Sequence, residues 1–283
     1  MNIRHPAQKS KTARALFRCV CYIIKVRSPS MNHRLIIGPT CSGKSALADA
    51  NATIVINADS QQVYKSLGLL RATPAVNPRH YLYSILEDDQ VINAAEWAVK
   101  AAEIINQNSE VTVVGGTALY VQVLIAGLPP VPQVPSQVAA QVLEMANLEQ
   151  FVLSVDPSFR FRDPHRLQRA AGVYLSTGHP ITYWQAQPRK KLIDCKWDVT
   201  YTDKPTREHV LSRIHDMIKC GAISQVQETP TPSRVTPIGF ESIKAYLCGQ
   251  MSYQQMIEIW ANHTMQYAKR QKTFFDKLIF TIS

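Results

Sequence analysis

Residues Gly38-Pro-Thr-Cys-Ser-Gly-Lys44-Ser45 constrain this chain more than any other stretch, because they meet the spacing Gly, four residues, Gly-Lys-Ser at every required position. An apolar run, Arg34 to Ile37, precedes them, and an Ala- and Leu-rich run, Ser45 to Ala52, follows. Strand, glycine loop, helix is the context in which backbone N–H groups close around phosphate oxygens. Lys44 adds a point charge, the helix start adds positive potential, and the Ser45 hydroxyl suits Mg²⁺. Gly38, Pro39, Thr40, Cys41, Ser42, Gly43, Lys44 and Ser45 are therefore read as a di- or triphosphate loop with magnesium as cofactor. The loop alone does not say which group is transferred.

The surrounding pattern alternates. Thr53 to Asn57 reads as a second apolar strand ending at Ala58-Asp59. Ala94 to Asn106 reads as a helix with Ala95, Ala98, Ala102 and Ile105 on one face. Val111 to Val114 is a third buried strand ending at Gly115-Gly116, and Tyr120 to Ala126 continues as a helix. This order predicts an α/β fold, a P-loop NTPase-like parallel sheet whose site lies at the carboxyl ends of its strands. Composition changes at Leu128, where Leu-Pro-Pro-Val-Pro-Gln-Val-Pro135 forms a proline-rich hinge. Helical patterns run from there to about Gln187. A strand over Asp198 to Asp203 follows, then helices near Arg207 to Cys220, Phe240 to Cys248 and Ser252 to Lys277. The expected organisation is a basic leader at 1–30, a core from 31–128 and 192–283, and a helical insertion at 129–191.

The net charge of +10 points to a polyanionic partner. Residues 1–30 carry seven basic side chains and no acid, so the rest of the chain holds only +3. That leader reads as a disordered tail or as sequence upstream of a start at Met31, with a targeting segment as the alternative. The six cysteines show neither a C-x-x-C pair nor zinc-ligand spacing, so free thiols in a reducing compartment are expected. No run reaches the ~18 uncharged apolar residues of a membrane span, and the expectation is a cytoplasmic monomer.

Asp59-Ser60-Gln61-Gln62-Val63-Tyr64 follows the second strand directly. An acid there either holds Mg²⁺, accepts a proton from a nucleophile, or caps a helix. Gly115-Gly116-Thr117-Ala-Leu-Tyr120 follows the third strand; Thr117 either caps the next helix or bonds a phosphate oxygen. In the insertion, Arg160, Arg162, Arg166, Arg169, Arg189, Lys190 and Lys191 interleave with Phe159, Phe161, Tyr174, Tyr183 and Trp184. Basic residues with aromatics suit folded RNA, and equally suit a solvated face over a small core. Lys269-Arg270-Gln271-Lys272 on the last helix reads as surface.

Taken in order, GPTCSGKS, NADSQQVY, VVGGTALY, DPHRLQRAAGVYLSTG, TPIGFES and YAKRQKTFF resemble the bacterial tRNA dimethylallyltransferases, from about Leu35 to Phe275. The resemblance implies transfer of a dimethylallyl group from its diphosphate to N6 of adenine 37, in tRNAs that read codons beginning with U. It implies that Lys44, Ser45 and Arg213 contact the donor diphosphate, that Asp59 takes the amine proton, and that Thr117 stabilises the leaving group. It further implies that Ser60, Gln61 and Gln62 contact the anticodon-loop base. His165, Arg166, Leu167, Gln168 and Arg169, with Thr236, Pro237, Ile238, Gly239, Phe240 and Glu241, would lie along the tRNA.

The sequence departs from that family pattern in three places. Val131 to Ala139 lacks an Asp and an Arg usual after the hinge. Arg71-Ala-Thr-Pro74 stands where a Lys-Pro pair is usual, and Ser84 where an Asp is usual. These changes bear on tRNA affinity more than on the phosphate loop. A P-loop small-molecule kinase, an isopentenyltransferase acting on AMP, and an inactive RNA-binding remnant are the competing readings.

Overall fold

The computed structural model describes residues 33–52, 54–232 and 235–282, so the leader at 1–30 and Thr53 lie outside the described residues. Five strands form one parallel sheet: β1 (His33–Ile37), β2 (Val55–Asn57), β3 (His80–Tyr81), β4 (Thr112–Gly115) and β5 (Trp197–Tyr201). Their order is β3-β2-β4-β1-β5. The register Ile37↔Gly115, Asn57↔Val114 and Ile37↔Tyr201 aligns the carboxyl ends of β1, β2, β4 and β5. Parallel strands buried on both faces read as continuous apolar runs, which is how Leu35–Ile37 and Val111–Val114 announce themselves.

The helices follow from local chemistry. α1 (Lys44–Asn51) starts at Gly43, whose φ of 82° only glycine adopts at no cost. The single-turn α2 segment (Gly68–Arg71) and β3 show no sign in the sequence, being four and two residues long, too short for any periodicity. α3 (Ala94–Asn106) begins with a capping box between Asn93 and Glu96, which sets its bounds where the apolar pattern predicts them. Its buried face is Trp97, Ala98, Ala101, Ala102 and Ile105; Ala95 is only half-buried, because the face turns toward Trp97. There the Trp97 ring stacks on Tyr120 of α4 (Ala118–Ala126) at 4.5 Å, and its Nε1 donates to the Asn57 carbonyl at 2.9 Å.

The segment after Gly127 has a core of its own. Helices α5 (Ser136–Leu143), α6 (Leu148–Val155), α7 (Pro164–Thr177) and α8 (Ile181–Ala186) bury Val142, Val152, Phe159, Leu167, Ala171 and Ile181. Buried Asp156 accepts from the hydroxyls of Ser158 (2.7 Å) and Thr182 (2.9 Å), pinning α8 to the end of α6. The proline stretch is no free hinge: Val131 and Val134 pack on this core, and Gly172 leaves only the room Val134 fills, a Cβ there lying 2.8 Å from its Cγ1. Leu128 and Lys190 exchange two backbone bonds of 3.1 and 2.9 Å, clasping the two ends of the segment together. Gly127, at φ 79°, is required beside that clasp, since a Cβ would sit 2.4 Å from the Lys190 carbonyl.

After β5 come α9 (Arg207–Lys219), α10 (Ala222–Glu228), α11 (Phe240–Leu247) and α12 (Tyr253–Ile282). They bury Val210, Ile214, Val226, Phe240, Ile243, Met256 and Trp260 together with Leu67 and Leu70, forming a second core beside the carboxyl edge of the sheet. Among the described residues no helix is long and apolar enough to cross a membrane.

Candidate functional site

Four strand ends meet at one edge, and each contributes a loop. The loop after β1 carries Gly38 to Gly43. Gly38 is obligatory there, since a Cβ would fall 2.2 Å from the Thr202 Oγ1 that follows β5. Ser42 Oγ donates to the Pro39 carbonyl (2.7 Å) and pairs with Thr202 Oγ1 (2.6 Å), so buried hydroxyls brace the loop from inside. Cys41 holds φ 60°, an uncommon conformation for a residue with a side chain. Its Sγ accepts from Arg213 Nη1 at 3.5 Å, which ties α9 to the loop. Lys44 is buried and donates to the Pro39 carbonyl. Burial pushes its ammonium down to about 8, with Asp59 opposing and Arg213 adding to the shift.

Asp59 follows β2 and is set by an exchange of bonds around it. Asn57, fully buried, accepts from the Asp59 N–H (2.8 Å) and donates to the Asp59 carbonyl (3.0 Å) and to the Leu82 carbonyl (3.0 Å). Asp59 Oδ1 accepts from the Gln61 N–H at 2.9 Å, so the side chain caps a turn; no helix starts there. Burial raises the carboxyl above its ordinary range, against the Gln61 bond and the charges of Lys44, Arg213 and Arg71. After β4, Gly115 lies where a Cβ would strike the Ala58 carbonyl at 2.1 Å. Thr117 stands at the start of α4 without capping it; its Oγ1 accepts from the Ser60 N–H (2.8 Å) and donates to Ser60 Oγ (3.1 Å).

The remaining wall is α12. Trp260, Thr264, Tyr267 and Gln271, four, three and four residues apart, form one stripe facing the site. Gln271 is buried: its Oε1 accepts from the Thr40 N–H (2.7 Å) and its Nε2 donates to the Gly116 carbonyl (2.8 Å). It thus joins the loop after β1 to the loop after β4. The expectation that Lys269 to Lys272 is all surface fails at this residue, since one helical turn presents both a solvent face and a buried face.

These walls enclose a cavity of ≈ 60 Å³. Its lining is mixed: Thr40, Cys41, Asp59, Gln61 and Arg213 are polar, while Leu70, Val210, Ile214, Met217, Ile238 and Trp260 are largely apolar. Ser45 is half-buried at the start of α1, and its hydroxyl has no partner among the described residues. The Ser45 hydroxyl and the Asp59 carboxylate are hard oxygen donors of the kind Mg²⁺ takes alongside substrate phosphates. No cluster of three His, Cys, Asp or Glu forms a metal cage among the described residues.

The other sequence-expected positions separate into two groups. Gln61 lines the cavity and Ser60 is paired with Thr117, whereas the Gln62 side chain is buried and donates to the Ala72 (2.8 Å) and Arg71 (3.3 Å) carbonyls. His165 and Arg166 are exposed on α7 and Gln168 half-exposed; Leu167 is in the insertion core, and Arg169 donates to the Pro132 carbonyl at 2.8 Å. Thr236 and Glu241 are exposed and Ile238 lines the cavity, while Pro237 and Phe240 are buried. Gly239 admits no side chain, with Trp260 2.4 Å from a Cβ placed there. Helical and loop segments bury every third or fourth residue, so a contiguous motif never presents all its side chains to one ligand.

So disposed, the chain is a P-loop α/β protein whose glycine loop borders a cavity of mixed lining. The family model described as IPP transferase matches residues 62–278. A tRNA dimethylallyltransferase of Azorhizobium caulinodans is 33% identical over 273 residues, covering 85% of this chain and 88% of its own. One of Chelativorans sp. is 34% identical over 274 residues, covering 85% and 94%. Among solved structures, the tRNA Δ2-isopentenylpyrophosphate transferase of Staphylococcus epidermidis superposes with TM-score 0.52 at 25% identity, over 86% of this chain and 89% of that one. A eukaryotic dimethylallyltransferase acting on tRNA superposes with TM-score 0.67 at 23% identity, over 85% and 69%, a likeness of fold. The chain belongs to the IPP transferase family.

Proposed function

We propose that this protein transfers the dimethylallyl group of dimethylallyl diphosphate to N6 of adenine 37, in tRNAs reading codons that begin with U, giving N6-dimethylallyladenosine. One observation carries the reading: Thr40 and Cys41 of the glycine loop, the Asp59 carboxyl, Arg213 and the apolar side chains of Ile214, Met217 and Trp260 line a single cavity. The diphosphate lies on backbone N–H groups of residues 41–45, with Lys44 and Arg213 taking its charge. The five-carbon group extends toward Ile214, Met217 and Trp260. The target base leaves its stack to reach the cavity.

The adenine N6 lone pair forms a bond to C1 of the prenyl group while the C1–O bond breaks and its electrons leave on the diphosphate. Asp59 holds the amine and receives its proton, a role suited to a carboxylate whose affinity for protons is raised. Thr117 and Ser60 offer hydroxyls beside it. Ser45 is the residue that would hold Mg²⁺, which would supply further neutralisation of diphosphate charge. His165, Arg166, Arg160 and Arg162 form the exposed basic face offered to tRNA phosphates.

The test is a transfer assay with labelled dimethylallyl diphosphate, Mg²⁺ and an anticodon stem-loop carrying A36-A37-A38, with an A37→G stem-loop and free AMP as parallel acceptors. Label on the A37 RNA alone supports the reading. Label on AMP moves the acceptor to a free nucleotide, and no label from folded protein sinks the reading and turns attention to ATP-dependent phosphoryl transfer.

A further inference from the structure

Arg71 is a buried charge beside Asp59 and in the cavity lining. Its side chain has 0% exposure. Each guanidinium nitrogen is engaged: Nε donates to the Ser66 carbonyl (3.1 Å), Nη1 to Gln61 Oε1 (2.9 Å), and Nη2 to the Val235 carbonyl (2.9 Å). Nη2 also lies 3.9 Å from an Asp88 oxygen, and the plane sits over the Tyr64 ring at 4.6 Å. Three of its five N–H groups are committed to these partners, so Arg71 is held as a brace between them. What it does fix is the amide of Gln61. A guanidinium only donates, so the Gln61 oxygen must face Arg71 and the Gln61 NH₂ must face away from it. That NH₂ has no acceptor among the described residues, and Gln61 lines the cavity two residues from Asp59.

We infer that Arg71 is a positioning residue that locks Gln61 as a hydrogen-bond donor, and that Gln61 thereby reads a ring-nitrogen acceptor flanking the reactive amine of adenine. Both flanking atoms, N1 and N7, are acceptors in adenine. The inference rests on the adenine-prenylation reading and adds to it how the base is recognised. Arg71 also joins three separate segments, the Asp59 turn, the Ser66 loop and Val235, so the reader of the base and the walls of the chamber are fixed as a unit.

The experiment measures kcat/KM on three stem-loops, with adenosine, 1-deazaadenosine or 7-deazaadenosine at the target position. Wild-type protein loses about tenfold or more on one of the two analogues, the one whose missing nitrogen Gln61 reads. Gln61→Met acts on that analogue and on adenosine equally. Arg71→Lys keeps the positive charge beside Asp59 but not the planar fork, so it also loses the discrimination while keeping the wild-type pH profile. Arg71→Met, judged alongside its thermal unfolding, gives the same loss of discrimination. Equal wild-type rates on all three acceptors overturn the inference and leave adenine prenylation standing, as does wild-type discrimination in Arg71→Lys. A wild type that labels none of the three overturns both.

Discussion

Two titrating side chains, Asp59 and Lys44, set the site's response to pH. Asp59 titrates above the ordinary carboxylate range, because burial outweighs the cations near it. Activity is therefore expected to fall with acid at a pH higher than an exposed aspartate would give. Asp59→Asn should remove that acid limb and lower kcat by roughly 10²- to 10⁴-fold, read from pH–rate profiles of both proteins. The same substitution should leave the empty protein at least as stable at neutral pH, since ionised Asp59 disfavours folding above its raised pKa. Lys44 behaves in the opposite sense. Its native pKa is about 8, so between there and the unfolded value near 10.5 the native state binds fewer protons and stability rises with pH. On the proposed reading, an arriving diphosphate would restore the charged form. Donor binding near pH 8 to 9 should take up a substantial fraction of a proton, measured by calorimetry in buffers of different ionisation enthalpy, and should weaken as pH rises further. A pH-independent affinity over that range would remove Lys44 from the diphosphate site.

At the scale of elements, α12 is the part the sequence concealed. Gln271→Leu leaves the Thr40 N–H and the Gly116 carbonyl without partners, at about 1–3 kcal/mol for each buried group. Thermal unfolding should show a lower Tm, and the KM for the donor should rise more than kcat falls, because the loop loses its brace and the base-binding side does not. The glycine loop, Asp59 and Thr117 were legible because each follows directly on an apolar strand, and a parallel sheet puts such positions on one edge. Gln271 was not, because its partners Thr40 and Gly116 are distant in sequence and a glutamine among Lys and Arg carries no sign of burial. The same holds for Arg71, which reads as an ordinary cation until its carbonyl partners are known. Lengths failed where elements are short: β3 and α2 have no period to detect, and they matter because α2 supplies Leu70 and Arg71 to the site.

At the scale of the molecule, positive charge is carried outward by the insertion while the core edge holds its cations buried. Arg160 and Arg166 are exposed, Arg166 stacking over the Phe161 ring at 4.2 Å. Replacing either with Ala should weaken stem-loop binding and reduce the slope of log affinity against log salt by about 1, leaving donor binding alone unchanged. An unaltered slope would mean that this face is solvated and meets no phosphate. The bond from Gln271 back to Thr40 spans 231 residues and carries one further consequence, for the chain as it is made. The first strand, its glycine loop and α1 emerge early, yet the loop gains its outer brace only when the far end of the polypeptide arrives. Non-local closure of this kind is slow and leaves apolar surface uncovered meanwhile. On the proposed reading, a nascent or truncated chain lacking α12 would carry a complete glycine-loop motif without the Gln271 brace, and its affinity for the donor diphosphate should be lower than that of the finished chain.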